Sequence, residues 1–478
     1  MNACNFWQDQ ASEEGDGHLV RSVIDGSVIA TVPLLDTRSL HVAMDALHGE
    51  VPTQSETLAF LDRLKCKVQK DLKNLSSLHQ EESGFIHADN EEVILGLIDF
   101  LDSFPRYAEA CEVVQRNDLP HVFSERCSRH MRIVHRAAQC VAIMVPQNAS
   151  LGLAVLAMAC ALFSGARVVV RPSQQCGATG AWLAEMVALC APPVGCIAVV
   201  NCKAADFLDV CMARPEIEMI HYIGSDRFAL EILRQAHLHG KHALIDGEGN
   251  GILLVADDFD IADAASLITK AATRYNGQTC TSVNGVLVTP ARQVKLLEAM
   301  AAQMKQLEPG DPREVSTQLG PLFSAQQATV MLERAKASNS ARIVCGGETD
   351  KSYMQATLVA DPAPDDVMVH QGFFGPVCWM AAAPVKQWSD WLQRNRFALS
   401  DTLLSHDDGL REWMIRHSRA GRLCFNEDPS IESMFEPWGG YAPAAHNPVS
   451  QWLNKYQFAV QVDADVVIQQ TIHSVYRA

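Results

Sequence analysis

The feature that most narrows the fold is a regular alternation of strand-like runs and helical stretches between about residues 140 and 246. The runs VAIMV (141–145), ARVVVR (166–171), CIAVVN (196–201), EMIHYI (218–223) and HALI (242–245) read as strands. Residues 150–163 and about 178–189 read as helices between them. Strands alternating with helices of this length imply an α/β, mostly parallel, doubly wound sheet. Such sheets bind ligands beyond the carboxyl ends of their strands. A second α/β stretch begins near Gly251 with ILLV and runs to about Asn447. Upstream, residues 38 to about 115 place apolar side chains at helical spacing, as in TLAFLDRLKCKVQKDL. Residues 119–137 are polar and β-compatible, which suggests a projecting hairpin. The late run KYQFAVQV also reads as a strand, pairing either with another subunit or within its own sheet.

Composition excludes several classes. A chain of 478 residues is long enough for two or three domains. Acidic residues outnumber basic ones, 56 to 39, so nucleic acid and anionic membranes are poor partners. The longest apolar run, Leu151 to Phe163, falls short of the roughly 20 residues that cross a bilayer, and a buried helix fits it better. Fifteen cysteines behind an acidic N-terminus, which is no signal or transit peptide, point to a reducing, cytoplasmic setting. No CxxC or HExxH motif occurs, and no metal is expected; His237, His239 and His242 read as a polar helix end.

The segment RYNGQTCTSVNGVLV (274–288) carries the most chemical information. It sets a thiol among small and amide residues just ahead of a strand, which suits a nucleophile presented on a loop. By itself one cysteine of fifteen is ordinarily a packing residue. With Asn276, Gly277 and Gln278 ahead of Cys280, however, the segment resembles the active-site signature of the aldehyde dehydrogenase superfamily, its Asn one place closer to the Gly than usual. Further landmarks follow in family order: PQNAS (146–150), VVVRPSQQ (168–175), YIGSD (222–226), LGPL (319–322), FFGPV (373–377), SRAGRLCFN (418–426) and PWGG (437–440). The likeness covers about residues 20–462, and its ordered series weighs more than any single motif.

The resemblance implies that Cys280 attacks an aldehyde, and that Asn148 and the Cys280 N–H stabilise the oxyanion. Asn148 could equally be a cap for the following helix. NAD or NADP is the implied cofactor, held by Arg171, Ser173, Gln174, Gly224, Ser225 and Phe374. Gly224 and Ser225 open a helix whose N-terminus suits pyrophosphate. Phe435 and Trp438 would line the substrate tunnel or pack in the core. The implied organisation is a dinucleotide-binding domain (17–118 and 138–246), a catalytic domain (247–447) and a small β element for homodimer or homotetramer assembly (119–137 and 455–478).

Three positions depart from the family pattern. The usual Lys of the Lys-Pro-Ser turn is Arg171, with neutral Gln174 where a Glu often repels the 2′-phosphate of NADP. Gly372 stands where a Glu contacts the nicotinamide ribose. The motif with the general base reads LIDGEGNG (244–251): one alignment puts Ile245 at the Glu position, another Asp246, and Asp246 and Glu248 are the nearest carboxylates. Without a base, water attacks the thioester slowly and coenzyme A becomes the better acceptor. Aldehyde oxidation to an acid therefore stands beside a CoA-acylating or acyl-reducing variant, and beside a non-catalytic binding or assembly subunit.

Overall fold

The computed structural model describes residues 3–111, 115–120, 128–432, 434 and 455–462. The expected alternation becomes a seven-stranded sheet in the spatial order His242–Asp246, Ile217–Ile223, Cys140–Met144, Arg167–Arg171, Ile197–Val199, Asn5–Trp7, Gln10–Ser12. The first five are parallel, and the last two close one edge antiparallel. Side chains on a strand point alternately to opposite faces, so Val141 and Ile143 enter one apolar cluster while Cys140, Ala142 and Met144 enter another. A sheet buried on both sides needs such uninterrupted apolar strands. The helices Gln54–Lys70, His87–Cys111, Ser150–Ser164 and Gly177–Leu189 supply the first cluster's partners, among them Phe60, Ile94, Val155 and Trp182. Thr37–Asp45, Ala204–Ala213 and Asp226–Leu238 cover the other face with Leu40, Phe207 and Ile232.

A second seven-stranded sheet follows the order Arg342–Cys345, Thr357–Ala360, Val377–Ala382, Val283–Val288, Gly251–Val255, Ser400–Leu404, Arg422–Phe425. Only the first of these runs antiparallel to its neighbour. It too separates two apolar clusters, one around Ile268, Val286 and Met300, the other around Leu287, Trp379 and Trp388.

The hairpin begins four residues before the expected start: Gln115–Pro120 pairs antiparallel with Ser128–Arg136. Lys455–Val462 joins it by pairing with Ser128–Arg136, so the tail strand finds its partner within its own chain. The strand Asn5–Trp7, in a stretch read only as acidic and polar, is buried at the first sheet's edge. Among the described residues no helix is long and apolar enough to cross a membrane, and Ser150–Ser164 is a core helix.

Candidate active site

In the first sheet the chain order of the strands reverses between Cys140–Met144 and Ile217–Ile223. Loops leaving such a switch point part in opposite directions and open a crevice beyond the strand ends. Here the crevice becomes a cavity of about 990 Å³ between the two sheets. Nine of the ten sequence-derived site residues line it: Cys280, Asn148, Asp246, Glu248, Arg171, Ser173, Gly224, Ser225 and Phe374. The tenth, Gln174, does not. Its Oε1 accepts from Arg171 Nη2 at 3.4 Å, and the neighbouring Gln175 reaches the cavity instead.

Cys280 follows a tightly braced loop. Tyr275 (φ 54°, ψ 33°) and Asn276 (φ 57°, ψ 27°) are both left-handed, which costs an ordinary residue roughly 1–2 kcal/mol. Four hydrogen bonds and one close backbone approach over-determine this turn. Asp89 Oδ2 accepts the Tyr275 N–H at 2.7 Å. The Asn276 amide donates to the carbonyls of Gly84 (2.9 Å) and Pro321 (3.1 Å) and accepts the Gly320 N–H at 2.8 Å. Gly277, also left-handed (φ 67°), lies so close to the Gly375–Pro376 backbone that no side chain would fit. Gln278 Oε1 accepts the Phe323 N–H at 3.1 Å, tying the same loop to the segment just before the helix Ala325–Lys336. Cys280 follows, a half-buried residue whose side chain packs beside Leu399.

Burial, then the carboxylates of Glu432 and Asp246, push the Cys280 thiol well above its usual value, while its own N–H and that of Thr281 pull the other way. Asn148 lies across the same cavity, just before the helix Ser150–Ser164. That helix has Ala149 as its N-cap and no side-chain capping bond, so Asn148 is not used as its cap.

The two candidate carboxylates separate in space. Asp246 ends its strand beside Cys280, which feels its charge. Glu248 acts on other groups: burial first and then its charge raise the Tyr222 and Asp226 pKa values, Asp226 to about 8, and its charge opposes the lowering of Arg334 by burial. Ile245 is fully buried in the sheet core. Gly372 has no room for a side chain, because a Cβ would run into Asn284 Oδ1 and the Gly249 carbonyl; its own carbonyl is taken by Arg334 Nη1.

On the opposite wall, Ser225 caps the helix Asp226–Leu238, aiming that helix N-terminus at the cavity beside Gly224. Arg171 is almost buried and donates to the Cys202 carbonyl at 3.2 Å. Burial lowers its pKa, but a guanidinium stays charged. Glu432 and Arg334 line the cavity although no motif marked them. His237 and His239 form the end of the helix Asp226–Leu238 as expected, but His242 is not part of that end: it starts the strand His242–Asp246. Phe435 and Trp438 lie outside the described residues.

Residues 7–457 match the model of the aldehyde dehydrogenase family. A mitochondrial succinate-semialdehyde dehydrogenase from Arabidopsis thaliana is 24% identical over 431 residues, covering 88% of this chain and 80% of that protein. Among solved structures, an aldehyde dehydrogenase 21 from Physcomitrella patens in complex with the reaction product succinate superposes with a TM-score of 0.87 at 18% identity, covering 97% of this chain and 98% of the other. An NADP-dependent enzyme from E. coli gives 0.88 at 18% identity over 96% and 98%. At such identities the superpositions speak to the fold.

Proposed function

The chain belongs to the aldehyde dehydrogenase family, and from that premise we propose that it oxidises an aldehyde to an acid with NAD or NADP, through a thioester on Cys280. The observation that carries the proposal is that one cavity joins the braced Cys280 loop and Asn148 to a dinucleotide-type crevice. The crevice suits a dinucleotide on physical grounds: it lies at a topological switch point, a helix N-terminus capped by Ser225 points into it, and Arg171 and Ser173 stand on its wall. Gly224 and Ser225 would lie under the pyrophosphate, Arg171 and Ser173 at the adenosine ribose, and Phe374 near the nicotinamide. The cofactor, when bound, supplies the hydride acceptor.

The chain's own residues do the rest. The Cys280 thiolate adds to the aldehyde carbon, and the oxygen's developing charge is met by the Asn148 amide and the Cys280 N–H. After oxidation, water adds to the thioester carbon and gives up a proton to a carboxylate. The C–S bond breaks and the sulfur leaves as thiolate. Asp246 rather than Glu248 is our choice of base, because of these two only Asp246 is felt at Cys280, behind the charge of Glu432. Thirteen free cysteines among the described residues support a reducing, cytoplasmic setting. The three-stranded sheet built from 115–120, 128–136 and 455–462 is the element we propose joins subunits into a homodimer or homotetramer.

Turnover of an aldehyde panel with NAD and NADP, with and without coenzyme A, tests the reading. NAD(P)H formation independent of coenzyme A is expected, with Cys280→Ala abolishing even the first burst. A full burst from Cys280→Ala would remove the proposal, and turnover that requires coenzyme A would replace hydrolysis by acyl transfer.

A further inference from the structure

Asp246 has a partner behind it. The strand Ile217–Ile223 runs parallel to His242–Asp246 with Ile223 opposite Asp246. Side chains two apart on a strand share a face, so His221 projects on the same side as Asp246, one step down the neighbouring strand. The imidazole Nε2 lies 2.9 Å from Asp246 Oδ2, and the two side chains are 0% and 5% exposed. An ionised carboxylate can only accept, which puts the proton on Nε2 and makes His221 the donor. Asp246 Oδ1 is buried and has no partner among the described residues, and Asp246 lines the cavity that holds Cys280.

We propose that His221 is the positioning residue of the deacylating base, holding Oδ2 of Asp246 so that Oδ1 faces the acyl group on Cys280. The proposal rests on the reading of Asp246 as the base. The aspartate arm is one methylene shorter than glutamate's, and the torsion that turns its carboxylate plane is broad and soft. A buried donor bonded to one oxygen removes that freedom and leaves a single oxygen to receive a proton. In the step itself the water oxygen bonds to the thioester carbon, its proton passes to Asp246 Oδ1, and the C–S bond breaks to release the acid and the Cys280 thiolate. His221 touches none of the reacting atoms.

The test separates acylation from deacylation. In full-length enzyme, p-nitrophenyl acetate acylates Cys280 with release of nitrophenolate, and loss of the acetyl group is followed by intact-mass spectrometry. NAD(P)H burst and steady-state rates are measured beside it with an aldehyde. His221→Leu is expected to slow deacylation by roughly ten- to a hundredfold, the usual cost of losing a partner that orients a functional group, while burst amplitude and KM hold. His221→Gln, whose amide nitrogen reaches the place of Nε2, is expected to recover most of the rate; His221→Asn, too short to reach, is not. Equal rates in the Gln and Asn variants would overturn the proposal even if the Leu variant fails to fold, as would a Leu variant that deacylates like the wild type. Normal deacylation by Asp246→Asn would overturn it together with the reading of the base.

Discussion

At the scale of single residues, the electrostatics of Cys280, the proposed nucleophile, make a testable demand. Cys280 is held well above the usual thiol value by burial, Glu432 and Asp246, in that order. Below its pKa a thiol's reactive fraction rises tenfold per pH unit, so alkylation of Cys280 by iodoacetamide should climb from pH 7 to 9 without levelling off. Asp246→Asn removes a like charge, lowers the pKa and should speed alkylation at any pH in that range. Site-resolved peptide mass spectrometry checks both, and a plateau near pH 8 in the wild type would contradict the first. The motif series brought Cys280, Asn148 and Asp246 to one cavity because these residues sit in local patterns. His221 had no such pattern: inside EMIHYI it looks like one more strand residue. Only the parallel register, Ile223 against Asp246, exposes the pairing. Glu432 was invisible for a related reason, since a tertiary approach alone brings its charge to the thiol.

At the scale of elements, the Cys280 loop depends on a helix far away in sequence. Asp89, in the first turn of His87–Cys111, accepts the N–H of left-handed Tyr275 at 2.7 Å, with the Arg274 guanidinium 3.7 Å from its other oxygen. Burial raises the Asp89 carboxyl, and these partners offset part of that rise. Asp89→Ala would strand a buried N–H, which costs about 1–3 kcal/mol. We expect a lower melting temperature and a smaller NAD(P)H burst from Asp89→Ala, and much milder effects from Asp89→Asn, which keeps an acceptor oxygen. Matching melting curves for Asp89→Ala and wild type would show that the brace carries no stability. The helices were legible from their apolar spacing, and the parallel strands from their β-branched runs. The left-handed turn was not, because Tyr275 is a residue type that ordinarily avoids it. Neither was the strand Gln115–Pro120, most of which lies ahead of the segment read as the hairpin.

At the scale of the molecule, two α/β units were readable from the repeated strand–helix alternation, but the ties between them were not. Those ties are single long-range bonds. Gln80 Nε2 donates to the Pro312 carbonyl at 2.8 Å, Arg313 bridges Glu81 (2.7 Å) and Asp25 (2.8 Å), and the Tyr353 hydroxyl donates to the Ile24 carbonyl at 3.3 Å. The cavity between the sheets draws walls from both, with Arg171 and Ser225 on one side and Gln327 and Phe374 on the other. A ligand spanning these walls binds only the folded, assembled chain, so it must stabilise that state. At a hundred times Kd the gain is about 2.7 kcal/mol. In a chain of this size that corresponds to a rise of roughly 2–3 °C in the melting midpoint, since a given free energy moves a larger protein's midpoint less. The preferred dinucleotide, NAD or NADP, should produce that rise, measured by differential scanning fluorimetry against the same protein without it. Arg171→Ala loses a nearly buried cation from the cofactor wall and will lower the unliganded midpoint as well, so the informative quantity is the increment. That increment should shrink to near zero at a dinucleotide concentration that shifts the wild type fully. An undiminished increment in Arg171→Ala would take Arg171 out of the cofactor site and leave Ser173 and the helix behind Gly224 to hold the dinucleotide.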